Sequence, residues 1–181
     1  QNTMITLVDL PGTYSLRSRS PDEKVTRDVV LNQFNEEESI DVILAVIDAT
    51  NLSGCLRLIL ELKQTGIPLV VALNMSDLAK LRGFEYDLKQ LSQMLDCPII
   101  ETAATQKQGI YELASELDKY KQLGGKNINQ WQEPTPEMVR SYHKRVHEII
   151  QAVETRRGLP ARWSNKIDNI LLHPFFGLVI L

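Results

Sequence analysis

The chain has 181 residues, of which 43% are apolar and 24% are charged, and its formal net charge is −3. This composition predicts one globular domain with a substantial core plus a small appendage, and the mild acidity without a basic stripe argues against a nucleic-acid-binding surface. Cys55 and Cys97 lie in apolar segments without a C-x-x-C spacing, so we expect core thiols of a reducing compartment and exclude a disulfide or zinc framework.

The first predicted strand, residues 3–8, leads into Asp9-Leu10-Pro11-Gly12. In phosphate-binding switches, a D-x-x-G at the end of a strand lets the aspartate hold magnesium, usually through water. The glycine N–H can then meet a terminal phosphate without a Cβ in the way. A plain strand-to-turn junction also explains these four residues, so the motif alone does not decide the function.

Residues 13–20 carry hydroxyls and two arginines without periodicity, which predicts a mobile loop. The next helix begins with Ser20 as its cap, Pro21 at the first helical position and Glu23 three residues after the cap, and we expect it to run to about residue 34. Its inward-facing residues are predicted to be Val25, Val29, Val30 and Phe34. A loop before a capped helix suits a nucleotide-sensing switch, although inert connections look the same.

Strands and helices then alternate. Residues 40–47 predict a strand, and a helix follows that is capped by Asn51 or Ser53 and closed by Gly66. The apolar run 69–73 predicts a strand buried on both faces. We expect a helix at 87–95, a strand from residue 98 and an amphipathic helix from residue 110 to about 123 with Leu113, Leu117 and Tyr120 on one face. This order predicts an α/β fold with a doubly wound, mostly parallel sheet.

Asn74-Met75-Ser76-Asp77 follows the buried strand, at the edge where open α/β sheets bind ligands. A carboxylate accepts two parallel N–H bonds, which suits the N1–H and 2-amino group of guanine and does not suit adenine. An unpaired buried acceptor costs about 1–3 kcal/mol, so Asp77 alone can set most of the base choice. Helix caps and turns produce the same N-x-x-D spacing.

Residues 124–136 are rich in Gly, Asn, Gln and Pro and predict a boundary before a long helix at 136–156. His143 and His147 share one face of that helix, a spacing that can chelate a metal, but no third ligand stands in position and a solvated face is the preferred interpretation. A short helix from Ser164 then leads to the end of the chain.

The last twelve residues, 170–181, are mostly apolar and shorter than the roughly 20 that span a bilayer. They are either a buried tail or the opening of a membrane helix, and we favour the membrane helix. Four basic residues upstream would keep that side in the cytoplasm. These are Arg156, Arg157, Arg162 and Lys166. Both ends of the chain resemble cuts in a longer protein.

Three segments in order, D-L-P-G at 9–12, N-M-S-D at 74–77 and E-T-A-A-T at 101–105, resemble the nucleotide-contact motifs of the Ras-like GTPase superfamily. The resemblance implies that Asp9 supports magnesium through water, that Gly12 senses the γ-phosphate and that Asn74 and Asp77 read guanine. Ala104 would donate its backbone N–H to the guanine O6. The full implied set is Asp9, Leu10, Pro11, Gly12, Asn74, Met75, Ser76, Asp77, Thr102, Ala103, Ala104 and Thr105.

Met75 stands where most of this superfamily carries lysine, so a thioether would pack against the base and ribose. That residue, the string DLPGTYSL and the end DNILLHPFFGL are similar to the ferrous iron transport protein B family of bacterial inner-membrane proteins. The resemblance implies a partial G domain at 1–124, a helical spacer at 125–169 and the start of a transmembrane helix at 170–181. It also implies GTP or GDP and Mg²⁺ as ligands, Fe(II) as the cargo of the intact transporter and a cytoplasmic position for this portion.

The phosphate loop G-x-x-x-x-G-K-[ST] does not occur in these 181 residues; in the family it lies upstream of D-x-x-G. The expected fold is therefore a P-loop-type sheet without its first strand and phosphate loop, and this chain alone should bind GTP poorly and be inactive. Thr13 stands where the superfamily usually carries a water-positioning glutamine, so we expect slow hydrolysis in the intact protein.

Two other functions fit parts of the sequence. One is a soluble translation- or tRNA-associated Ras-like GTPase whose C-terminal apolar run is core. The other is a nucleotide-free interaction module with the shape of a G domain. The sequence does not determine the oligomeric state and is compatible with a homo-oligomer. It identifies no iron-binding residue.

Overall fold

The computed structural model describes residues 6–18, 20–31, 40–122 and 131–156. The helices of this part of the chain are α1 (Pro21–Val30), α2 (Leu52–Lys63), α3 (Ser76–Leu81), α4 (Leu88–Leu95), α5 (Ile110–Asp118) and α6 (Pro136–Val153). The strands are β1 (Ile43–Asp48), β2 (Leu69–Asn74), β3 (Glu85–Tyr86), β4 (Ile99–Glu101) and β5 (Glu154–Arg156). Short 3₁₀ turns cover Ala49–Asn51, Ala104–Gln106 and Lys119–Gln122.

A parallel sheet in the order β1-β2-β4 organises the fold. Its register pairs Asp48 with Asn74 and Leu73 with Glu101, so the carboxyl ends of the three strands lie side by side. The first five residues of β2 are buried, as the unbroken apolar run predicts for a central parallel strand. The α/β fold class with a parallel sheet is confirmed.

Helices cover both faces of this sheet. On one face β1 and β2 pack against α2, α4 and α6, whose residues Leu56, Leu91 and Ile149 are fully buried. On the other face α5 covers β2, and the predicted inward residues Leu113, Leu117 and Tyr120 lie against this second cluster. The doubly wound arrangement is therefore present in the described residues.

The long helix is shorter than predicted. It ends at Val153, and Glu154–Arg156 form β5, which pairs antiparallel with β3. The prediction of a helix to residue 156 is wrong because this backbone finds partners in a distant segment: the Asp87 N–H donates to the Val153 carbonyl at 2.8 Å and the Thr155 hydroxyl donates to the Glu85 carbonyl at 3.1 Å. The proposed boundary after residue 124 stays a prediction, since residues 123–130 lie outside the described part.

Two predictions near the N-terminus are wrong in part. Residues 6–8 of the strand predicted at 3–8 are irregular, with Leu7 82% and Val8 61% exposed, and no strand in the described part of the chain pairs with them. Residues 3–5 lie outside the described ranges. In α1 the capping box forms and Val30 is buried, both as predicted, but Val25 is exposed and the unpredicted Thr26 is buried instead. Residue 34 lies outside the described ranges.

Other local predictions fare better. Asn51 occupies the cap position of α2, although its side chain makes no capping bond, and Gly66 adopts the left-handed φ of 71° that a helix end favours. Asp87 caps α4. Both cysteines are free and buried, and burial raises the pKa of the Cys97 thiol to about 11.

The structure bears on the possible metal site of α6 and on membrane-spanning helices only within the described residues. Within the described ranges no cluster of three potential metal ligands occurs, and His147 instead shares a hydrogen bond with Gln151. None of the helices in the described ranges is long and apolar enough to cross a membrane. The predicted membrane segment at 170–181 and the short helix from Ser164 lie outside those ranges.

Candidate functional site

Asn74 joins two of the predicted motifs at the carboxyl edge of the sheet. It is the last residue of β2, and its side-chain oxygen accepts the Thr102 hydroxyl and the Ala104 backbone N–H, each at 3.2 Å. The Ser76 N–H donates to the Thr102 carbonyl, also at 3.2 Å. The segments 74–77 and 102–105, separate in sequence, therefore form one polar edge.

Asp77 lies in the first turn of α3, where the N–H groups of a helix favour a negative charge. Its Oδ2 accepts a hydrogen bond from the Gln106 side-chain amide at 2.8 Å. Sequence reasoning missed Gln106, whose one signal was its place directly after the E-T-A-A-T segment. The Asp77 carboxylate is thus already engaged by an N–H donor of the kind that a guanine edge would supply.

Met75 connects β2 to α3 in a left-handed conformation, with φ 59° and ψ 30°. Such a φ is uncommon for a residue other than glycine and costs of order 1–3 kcal/mol, so the surrounding structure must impose it. The side chain is 46% exposed, which leaves its thioether accessible for apolar packing at this edge.

Ser76 faces a different environment. Its hydroxyl is buried and has no hydrogen-bond partner within the part of the chain that the structure describes. The residue lines a cavity of about 270 Å³ beside the ion pair of Lys80 and Glu101, whose charged atoms are 2.8 Å apart. This polar cavity lies between α3, β3 and β4.

The loop after β4 is fixed by its buried residues and by backbone hydrogen bonds. Thr102 and Ala103 are buried, Ala104 and Thr105 are exposed, and the Ala103 N–H donates to the Gln108 carbonyl at 3.1 Å. Gly109 closes the loop with φ 76°, and a Cβ there would lie 2.0 Å from the Glu101 carbonyl oxygen. The exposed residues of the loop therefore face outward on a fixed backbone.

The D-x-x-G segment, residues 9–12, is hydrogen-bonded to α1. Leu10 packs against the core, and the Thr26 hydroxyl donates to the Pro11 carbonyl at 2.7 Å. Asp9 is exposed. In the described residues, no hydrogen bond joins residues 9–12 to segments 74–77 or 102–105, so the structure brings two of the three motifs into contact.

Gly12 differs from Gly54 and Gly109, where an added Cβ would meet neighbouring atoms. Its φ lies outside the left-handed region, and no atom lies within 4 Å of the position that a Cβ would take. Neither backbone conformation nor packing in the described residues therefore requires glycine here. A glycine of this kind fits a position where the backbone is approached by a bound molecule.

The predicted loop at 13–18 is irregular, but its centre is anchored. Leu16 is buried, and the carboxylate of the fully buried Glu61 accepts its N–H at 2.6 Å and the Ser15 hydroxyl at 2.8 Å. Arg57 donates to the same carboxylate at 2.8 Å, which compensates the buried charge. Sequence reasoning missed Glu61; the signal was a charged residue inside an apolar helical pattern with arginine four positions earlier.

A protein-family model described as "Ferrous iron transport protein B" matches residues 1–117. The Fe(2+) transporter FeoB of Campylobacter jejuni is 35% identical over 185 residues, which cover 99% of this chain and 29% of that protein. The chain thus spans less than a third of the length of that relative.

Two solved structures are similar in fold. The cytosolic domain of L. pneumophila FeoB matches with a TM-score of 0.66 and 27% identity, covering 81% of this chain and 77% of the other. A mutant S. thermophilus NFeoB bound to GDP matches with a TM-score of 0.52 and 38% identity, covering 60% of this chain and 39% of the other. These similarities do not favour a translation- or tRNA-associated protein.

Proposed function

Since the chain belongs to the ferrous iron transport protein B family, we propose that it is the GTP-binding regulatory portion of a bacterial ferrous iron transporter. The observation that carries the proposal is the bond network of Asn74, which unites the N-M-S-D and E-T-A-A-T segments at the ligand-binding edge of a parallel sheet. The GDP bound to the S. thermophilus relative supports the choice of ligand.

The base would bind at this edge. Asp77 would accept the N1–H and 2-amino group of guanine, and the backbone N–H of Ala104 would donate to its O6, while the Asn74 side chain holds the two segments together. Met75 would pack its exposed thioether against the base and ribose. The adjoining residues Leu10, Pro11, Ser76, Thr102, Ala103 and Thr105 would shape the backbone of the site rather than contact the reacting phosphates.

The phosphate end would lie at the D-x-x-G segment. Gly12 leaves open the space that a Cβ would fill, which suits the approach of a terminal phosphate. The exposed Asp9 carboxylate is a hard oxygen donor and fits a Mg²⁺ ion that keeps several of its waters. Magnesium bound there would neutralise phosphate charge during GTP hydrolysis.

We further propose that GTP binding and slow hydrolysis reposition the loop at 13–18 and α1, and that a helical spacer at 125–169 carries the change to a membrane segment from residue 170. This would couple GTP to Fe(II) uptake at the inner membrane, with this portion on the cytoplasmic side. The slow rate follows from Thr13, whose short hydroxyl replaces the usual water-positioning amide. The chain alone should bind nucleotide poorly because it lacks a phosphate loop.

Exchange of the base-reading group tests the proposal. Asp77→Asn removes the acceptor for the guanine 2-amino group and supplies a donor for the 2-oxo group of xanthine, so we expect weaker GDP binding and stronger xanthosine diphosphate binding. The measurement is a titration with fluorescently labelled GDP and xanthosine diphosphate, on this chain and on a form that includes any residues its gene encodes before Gln1. The control is Asp22→Asn, an exposed carboxylate in the first turn of α1.

Two results would count against the proposal. An unchanged preference of Asp77→Asn for GDP over xanthosine diphosphate would show that guanine does not bind at this edge of the sheet. Submicromolar GDP binding by residues 1–181 alone would show that the phosphates bind elsewhere in this chain.

A further inference from the structure

Thr26 makes a tertiary contact that the site residues themselves do not explain. It lies in the middle of α1, is 6% exposed, and donates its hydroxyl to the Pro11 carbonyl at 2.7 Å. The two residues are fifteen positions apart and belong to different elements. The Thr26 hydroxyl keeps such a bond because a buried donor that is left unpaired is costly.

The accepting carbonyl belongs to the same peptide unit as the Gly12 N–H. This unit is planar and trans, so its C=O and N–H point in opposite directions. A hydrogen bond that holds the oxygen toward α1 therefore directs the N–H away from α1. Within the described residues, the Gly12 N–H has no protein acceptor and no atom lies within 4 Å of the missing Cβ position.

The chain is also held on the other side of Gly12. The Thr13 hydroxyl donates to the Ser15 carbonyl at 2.6 Å, and Glu61 accepts the Leu16 N–H. The short free stretch around Gly12 thus lies between two fixed points. In the described residues, the Thr26 bond is the contact that acts directly on the peptide carrying the free N–H.

We propose that Thr26 is a positioning residue that presents the Gly12 N–H to the terminal phosphate and so favours a nucleoside triphosphate over a diphosphate. This deepens, and rests on, the GTP site proposed above. Thr26 does not touch the nucleotide in this arrangement; it acts through the Pro11–Gly12 peptide. A diphosphate has no phosphate at this position, so its affinity does not depend on the orientation of this N–H.

Removal of the Thr26 hydroxyl tests whether Thr26 positions the Gly12 N–H or only stabilises the fold. Thr26→Val keeps the shape of the side chain and loses the donor, so the Pro11–Gly12 peptide is free to rotate. We expect the dissociation constant for a non-hydrolysable GTP analogue to rise about three- to tenfold, as for the loss of one well-made hydrogen bond, while that for GDP stays the same. Thr26→Ser restores the hydroxyl and should restore the preference.

Thr65→Val is the matched control, because the Thr65 hydroxyl is also buried and also donates to a backbone carbonyl, that of Leu62, at 2.7 Å. It should lower stability without changing the ratio of the two affinities. The titrations use the chain with any residues that its gene encodes before Gln1. If Thr26→Val does not fold, Thr26→Ala is used in its place with the same expectation.

A second readout needs no nucleotide. The amide signal of Gly12 in a ¹H–¹⁵N NMR spectrum should shift in Thr26→Val and stay in place in Thr26→Ser and Thr65→Val. An unshifted Gly12 signal, an unchanged affinity ratio, or an equal loss of both affinities would overturn the role of Thr26. Failure of the wild-type protein to bind either nucleotide would instead overturn the proposed GTP site, and the inference with it.

Discussion

At the scale of single residues, the two glycines at the site have opposite physical reasons. Gly109 is required by the fold itself, since its φ is 76° and a Cβ would lie 2.0 Å from the Glu101 carbonyl oxygen. Gly12 has neither constraint in the described structure. The difference separates a glycine that shapes the loop from a glycine beside open space, where we propose that a phosphate binds.

Stability measurements distinguish the two positions. Gly109→Ala should lower the free energy of unfolding by more than about 1 kcal/mol, because alanine is strained at this φ and its methyl group meets a backbone atom. Gly12→Ala should leave it within about 0.5 kcal/mol, as for other substitutions in open surroundings. Urea unfolding of both variants checks this, and equal losses would contradict it.

At the scale of elements, α2 holds the loop that follows D-x-x-G. Glu61 is fully buried and collects hydrogen bonds from Leu16, Ser15 and its helix neighbour Arg57. Burial of a carboxylate is tolerated here because Arg57 supplies the opposite charge and the loop donors occupy the carboxylate oxygens. The loop therefore has a defined rest position from which a ligand could displace it.

Loss of this carboxylate should be costly. Glu61→Ala leaves the Leu16 N–H without its acceptor and Arg57 without its counter-charge, so we expect a loss of about 3 kcal/mol of unfolding free energy and faster proteolysis within residues 13–18. Glu148→Ala removes an exposed ion pair with Arg145 and should change stability by less than about 1 kcal/mol. Similar effects of the two substitutions in urea unfolding would disprove the anchoring role.

At the scale of the whole molecule, α6 shares the core of the sheet. Ile149 and Val153 are fully buried in the same cluster as α2 and α4, and β5 pairs with β3 directly after the helix. Tyr142 on the same helix is buried, and its pKa is raised by burial and then by the Glu61 carboxylate. The helix that was expected to begin a separate spacer thus packs against α2 and α4, and the division into a G domain and a spacer stays a prediction.

This packing predicts one cooperative unit. Ile149→Ala should lower the free energy of unfolding by about 2–5 kcal/mol, and circular dichroism and tryptophan fluorescence should report the same single transition. Met138→Ala, at a partly exposed position near the start of α6, is the control and should have a small effect. A separate, earlier transition for α6 would show that the helix is only loosely attached.

Much of the fold could be predicted from the sequence because its signals are local. The capping box of α1, the apolar run of β2 and the inward face of α5 each lie within a few residues, and all are confirmed. The three motifs indicated the Ras-like GTPase superfamily, and Met75 with the strings DLPGTYSL and DNILLHPFFGL indicated the ferrous iron transport protein B family, which the family match confirms. Their assignment to individual nucleotide contacts stays a prediction.

The tertiary structure alone decided the contacts between distant segments. The bonds of Thr26 to Pro11 and of Glu61 to Leu16 join residues that are fifteen and 45 positions apart, and Gln106 reaches Asp77 across 29. No local pattern encodes such pairs, because they exist only once helices and strands have packed in a particular order. The sequence thus determined the family and the local elements of this protein, and packing decided which distant residues hold the predicted site residues in place.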